Sequence, residues 1–242
     1  MFIPLKDDNP RSRIGFQGVT VTTIALCVLA FFYQLSLPGL EQTRFVFSYG
    51  LIPATLFGDA SLPLELYRVP PWVTLATSMF LHGGVLHIAG NLLFLWIFAD
   101  NIEDALGHGR FAVFYLACGL AAGVLHGLID PASEVPTIGA SGAISGVMGG
   151  YLVLYPRRGV WVQIAFTMVR RVPAWGALGF WIGLQVLNAT LLASPESNTA
   201  WWAHIGGFIA GALLVIPMRR RDVPLFDRGY RGPGSGPWGR RR

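Results

Sequence analysis

Charge is what this chain lacks most. Only 13% of its 242 residues are Asp, Glu, Lys or Arg, about half the roughly 25% of an ordinary soluble domain. With 53% hydrophobic residues and a mean hydropathy of +0.51, a water-soluble globule is excluded and a polytopic membrane protein is expected. Cysteine is nearly missing as well. Cys27 and Cys118 both lie in apolar stretches, which rules out a disulfide framework or a cysteine metal site and leaves them as small apolar filler. Acidic residues are outnumbered, 13 against 18 basic, for a net charge of +5. The basic residues sit beside apolar segments, at Arg157/Arg158, Arg170/Arg171, Arg219–Arg221 and Arg240–Arg242. That is the pattern of cytoplasmic flanks and not of a nucleic-acid surface, so no nucleic-acid partner is expected. The first apolar run, 19–37, has no small-residue cleavage site after it, so no cleavable leader is expected.

What is present is a set of long apolar runs. About 20 apolar residues cross a bilayer, and by that ruler helices are expected at 17–37, 83–103, 109–129, 141–156, 173–192 and 201–217. The fold class is then an all-α, six-helix membrane bundle. It divides into a cytoplasmic head (1–16), a helical domain (17–217) and a basic, disordered cytoplasmic tail (218–242). The loops 130–140 and 193–200 hold no basic residue, so they face outward and both termini face inward. Segment 38–82, with Phe45, Phe47, Phe57 and Trp72 among prolines, reads as a first outer loop half sunk in the headgroups. Segment 157–171 reads as an amphipathic piece on the inner surface.

The chemistry concentrates at three places. Ser141, in Gly139-Ala140-Ser141-Gly142, opens the fourth span. From Ser141 to Tyr155 that helix rises about 22 Å, less than the roughly 30 Å of hydrocarbon. Arg157 and Arg158 hold its inner end at the surface, so Ser141 lies below the outer surface. There it sits at a helix N-terminus with free N–H groups and a positive dipole end, which suits an oxyanion. The alternative is packing: Gly142, Gly146, Gly149 and Gly150 have the spacing of a tight helix contact. His204 lies one turn into the sixth span, at a matching depth, and an intramembrane histidine is a functional hypothesis by default. Gly207 and Gly211 after it allow close packing on the fourth span, which would bring the imidazole to the Ser141 hydroxyl as a general base.

His87 and Asn91, four apart on the second span, share a helix face and are candidate oxyanion donors with the Ser141 N–H. His82 reads as a structural hydrogen bonder. A metal on His82 and His87 is disfavoured by their i,i+5 spacing and the lack of an acidic ligand. His108 and His126 receive no role. No acidic residue lies where a third triad member would, so a Ser–His dyad is the economical reading.

At this point the residues resemble the rhomboid family of intramembrane serine proteases. The resemblance rests on Gly139-Ala-Ser-Gly142, on Ala203-His-Ile-Gly-Gly-Phe-Ile-Ala-Gly211, and on His87-x-x-x-Asn91 after Phe80-Leu-His82. It covers about residues 70–217 and the first span. It implies a Ser141–His204 dyad, an oxyanion site of His87, Asn91 and the Ser141 N–H, and no cofactor. It also implies cleavage of transmembrane protein substrates near the outer interface, after a small residue in an easily unwound helix, with the fifth span flanking substrate entry. Gly139, Gly142, Gly207 and Gly211 are assigned to close packing. Two departures stand out: Trp72 is followed by Val73 where some relatives have arginine, and Ser145 stands where some have a tyrosine stacked on the histidine. Two other readings are a non-proteolytic helix-binding relative and a small transporter. The second is opposed by spans four and six, which carry almost no polar residues inward of Ser145 and His204. Short termini without a transit peptide suggest a bacterial inner membrane.

Overall fold

The computed structural model describes residues 2–164, 168–192 and 199–227. In chain order the elements are β1 (Phe2–Asp7), α1 (Gly18–Ser36), α2 (Gly39–Tyr49), α3 (Pro53–Leu56), α4 (Pro71–Thr77), α5 (Val85–Leu106), α6 (His108–Ile129), α7 (Ser141–Leu154), β2 (Gly159–Ile164), β3 (Met168–Pro173), α8 (Ala174–Thr190) and α9 (Trp201–Met218). A short 3-10 turn, Ser78–Phe80, joins α4 to the α5 approach. Each expected span coincides with a helix, its ends within about a turn of the expected ones. Among the described residues, α1, α5, α6 and α9 are long and apolar enough to cross a membrane; α7 is a shorter apolar helix. Their exteriors stay apolar, as with Phe32 of α1, Trp96 of α5, Val113 of α6 and Leu213 of α9, all exposed. A helix that is apolar all round and not covered by protein is one covered by lipid. The protein is an integral membrane protein.

The centre of the bundle is α7, buried from Gly142 to Tyr151. Its most extensive contact is with α9. A Cβ at Gly207 would overlap the Gly142 carbonyl oxygen, and one at Gly211 the Gly146 carbonyl oxygen. Only missing side chains let these two backbones touch.

The end of the bundle away from Ser141 is closed by polar contacts. Glu103, at the end of α5, is fully buried. It accepts from the Val19 and Thr20 N–H groups, both at 2.9 Å, from the Thr20 hydroxyl at 2.6 Å and from His108 Nδ1 at 2.5 Å. The α1 N-terminus, which has no side-chain cap of its own, is thus capped by a carboxylate from another helix, where an anion also meets the favourable end of the dipole. Asp104 accepts from the Arg13 and Ile14 N–H groups at 2.6 and 2.7 Å.

The all-α expectation is corrected here. The molecule is mostly helical, but β1, β2 and β3 form an antiparallel sheet in that order. Of the expected amphipathic piece at 157–171, the described residues form β2 and the start of β3: Val160 and Val162 alternate into the core, and β-branched and aromatic residues favour an extended chain. Residues 2–7, within the expected head, form β1. They supply the strand that satisfies the free edge of β2, with Ile3 opposite Gln163 and Asp7 opposite Val160. Segment 38–82 carries α2, α3 and α4 and is tied to the loop before α7 by paired hydrogen bonds between Leu51 and Thr137. Residues 219–227 pack back on the bundle, with Val223 buried and Asp227 paired to Arg158 at 2.5 Å. The rest of the expected disordered tail, and 193–198 of the expected outer loop, lie outside the described residues.

Candidate active site

The loop before α7 descends into the protein along two hydrogen-bonded anchors. One is the Leu51–Thr137 pair, at 3.0 and 2.7 Å. The other is the Gly139 N–H, which donates to the Ser78 carbonyl at 2.9 Å. Gly139 has φ +126°, a conformation that side chains rarely adopt, and a Cβ there would lie 2.8 Å from His87 Nε2. Glycine is therefore required for the loop to turn against His87. Gly139 thus serves the turn, whereas Gly142, Gly207 and Gly211, like Gly146 and Gly149, lie in close helix contacts. The turn delivers Ser141 as the first residue of α7, where its N–H has no intrahelical acceptor.

Helices α9 and α5 bring side chains to the cleft at Ser141. From α9, His204 Nε2 lies 2.8 Å from the Ser141 hydroxyl. This approach follows from the glycine contact of α7 with α9, because Gly207 is one turn below His204. From α5, His87 and Asn91 face the same cleft, whose volume is about 990 Å³. The Gly83 N–H donates to His87 Nδ1 at 3.2 Å. That bond uses the Nδ1 lone pair, so the ring proton resides on Nε2, beside Gly139. Asn91 is buried, and its Nδ2 amide has no acceptor among the described residues. A buried amide donor without a partner is costly to the fold, and here it borders the cleft.

The remaining histidines stay apart. His82 is fully buried, donates from Nδ1 to the Phe80 carbonyl at 3.2 Å and packs edge-on against His87. Gln34 of α1 holds its backbone carbonyl at 2.9 Å. Neither His108 nor His126 borders the cleft; the first pairs with Glu103 at the opposite end.

Sequence reasoning placed α8 as the fifth span but missed the site residues it carries. Gln185 is buried, and its Oε1 lies 2.8 Å from His204 Nδ1. Trp181, one turn earlier, places its ring centroid 5.7 Å from that of His204, tilted by 41°. Ser145, four residues after Ser141, donates to the Ser141 carbonyl at 2.6 Å. The available signal was a glutamine inside an apolar span, which has to find a partner there.

The sequence of the chain has counterparts among known proteins. A family profile described as "Rhomboid domain" matches residues 69–221. The chain is 30% identical to rhomboid protease GluP of Bacillus subtilis over 84% of this chain and 36% of that protein. It is 30% identical to RHOMBOID-like protein 5 of Arabidopsis thaliana over 66% and 48%. To rhomboid protease AarA of Providencia stuartii it is 24% identical over 85% and 74%. The chain spans half or less of the length of the first two. With a profile match over more than half its residues, the chain belongs to the rhomboid family.

Proposed function

We propose that this protein is an intramembrane serine endopeptidase that cleaves transmembrane-helix substrates with a Ser141–His204 dyad. The observation that carries the reading is the 2.8 Å contact between His204 Nε2 and the Ser141 hydroxyl at the wall of an apolar cleft. The names of the two bacterial relatives, both rhomboid proteases, support it.

In this mechanism His204 Nε2 takes the Ser141 proton as Oγ attacks the scissile carbonyl. The oxyanion forms at the α7 N-terminus, within reach of the Ser141 N–H, His87 Nε2–H and Asn91 Nδ2. Those donors are already fixed by the fold, so little reorganisation opposes the transition state. His204 then passes its proton to the leaving amine. Water hydrolyses the acyl-enzyme by the same exchange in reverse order, and no cofactor takes part.

The proposal includes six membrane crossings, by α1, α5, α6, α7, α8 and α9. The domain limits of 1–16, 17–217 and 218–242 are kept as its functional division. Segment 38–82 lies at the outer interface, and both termini are cytoplasmic. Support for that orientation is the arginine-rich composition of the end opposite Ser141. A bacterial inner membrane is the proposed location, in keeping with the two bacterial relatives.

The test is covalent labelling and cleavage by the purified protein in liposomes. A fluorophosphonate probe is expected to label Ser141, and a model transmembrane substrate to be cut. Ser141→Ala and His204→Ala each abolish both. Cleavage that survives either substitution overturns the dyad.

A further inference from the structure

We propose that Gln185 is a positioning residue for the reaction: it dictates which nitrogen of His204 carries the proton, while Trp181 limits the ring's rotation. The proposal deepens the Ser141–His204 reading and rests on it.

A neutral imidazole has one N–H and one lone pair, and only a lone pair on Nε2 can take the Ser141 proton. The dyad by itself does not decide this, because a serine hydroxyl can donate or accept. Gln185 decides it through two bonds. Its Nε2 donates to the Trp181 carbonyl of the same helix at 3.1 Å, and a backbone carbonyl can only accept. The amide is therefore oriented with Oε1 toward His204 Nδ1, at 2.8 Å. A carbonyl oxygen again can only accept, so Nδ1 must hold the proton and Nε2 presents its lone pair to Ser141. Rotating the amide by half a turn would set two carbonyl oxygens, those of Gln185 and Trp181, against each other.

The same bond serves during the reaction. When His204 takes the serine proton, the charge that develops is shared with an acceptor already in contact with Nδ1. A neutral amide does this without the desolvation cost that a carboxylate would carry in an apolar interior. Trp181 covers the imidazole from α8, held in turn by Phe94 of α5 and Phe208 of α9 at centroid distances of 6.4 and 6.5 Å. The rival explanation is that Gln185 only fastens α8 to α9, as polar residues do between membrane helices. The two differ in what they predict for the histidine.

The experiment uses the full chain in liposomes, labelled with 15N-histidine, with the His204 signals assigned by their loss in His204→Ala. The wild type is expected to show Nδ1–H, Nε2-lone-pair chemical shifts at His204. Gln185→Leu, of similar size but without an acceptor, is expected to mix the tautomers. It should also slow fluorophosphonate labelling of Ser141 and kcat by roughly 10- to 100-fold, with KM within about twofold. Gln185→Glu, neutral in this apolar interior, donates its O–H to the Trp181 carbonyl and keeps its carbonyl oxygen on Nδ1, so it restores the wild-type tautomer and most of the labelling rate. An Nε2–H signature in the wild type overturns the proposal without any variant. So does Gln185→Leu with wild-type shifts and rate, or Gln185→Glu impaired as much as Gln185→Leu. Should the wild type not label at Ser141 at all, the protease reading fails, while the tautomer measurement still judges the role of Gln185.

Discussion

A hydrogen-bond donor left unpaired in a protein interior needs a reason, and Asn91 is such a donor. Asn91 lines the cleft on the helix face that also carries His87, and its buried Nδ2 has no acceptor among the described residues. In the proposed mechanism the acceptor is the oxyanion, which exists only during the reaction. Asn91→Ala is therefore expected to lower kcat by about 100-fold, the usual scale for one oxyanion donor, and to leave KM and thermal stability close to wild type. Cleavage kinetics in liposomes beside a melting curve in detergent check this. An Asn91→Ala protein that melts much earlier would identify Asn91 as a structural residue instead. Asn91, His87 and Ser141 were legible in the sequence because each is a polar side chain at one depth in an apolar span. Gln185 meets the same criterion, but its partner lies on another helix with a different rotation, and nothing local to α8 reports that rotation.

At the scale of elements, the site is a consequence of how closely α7 and α9 approach. A Cβ added at Gly207 or Gly211 would lie 1.9 Å from the carbonyl oxygen of Gly142 or Gly146. A side chain there has no rotamer that avoids backbone atoms, and the helices must separate or shift. Gly207→Leu is expected to destabilise the bundle by about 3 kcal/mol or more, at or beyond the upper end for overpacking, and to abolish labelling of Ser141 by moving His204 out of reach. Gly109, whose added Cβ meets nothing within 4 Å, serves as the control: Gly109→Leu should leave both readouts nearly unchanged. Thermal melting and probe labelling of the two variants decide the matter, and equal behaviour would remove the close-contact argument. The spacing of small residues made this contact legible. The sheet was not, since β2 is six residues long and its first partner strand lies at the other end of the chain.

At the scale of the whole molecule, the sheet is coupled to the central helix. Asp7 of β1 sits half-buried, and the Tyr151 hydroxyl of α7 donates to its carboxylate at 2.6 Å. Burial pushes the Asp7 carboxyl up from 3.8 to about 7, helped by the nearby Asp100 charge and opposed by the Tyr151 hydrogen bond. In the unfolded chain it titrates near 3.8. Between about pH 4 and pH 7 the folded protein holds a proton that the unfolded chain has released, so stability falls as pH rises through that window. The contribution is full below about pH 4 and gone above about pH 7. On the scale of 1.36 kcal/mol per pKa unit, the loss is on the order of a few kcal/mol at most. Asp7→Asn should flatten the part of the melting-temperature profile between pH 4 and pH 7 that the wild type loses. Parallel profiles for the two proteins would show that Asp7 does not titrate there.

The sequence by itself determined the solvent of this protein, the place of its apolar helices to within about a turn, and the residue types at the head of α7 and along α5 and α9. These follow from composition, run length and helical period, which are properties of neighbouring residues. Tertiary structure alone decided that residues 2–7 pair with residues 159–164, that Glu103 caps α1, and that the α8 residues Gln185 and Trp181 hold the imidazole of α9. Each of these joins groups far apart in the chain or on separately rotated helices. Their contact energy depends on packing distance and orientation, which no local pattern encodes.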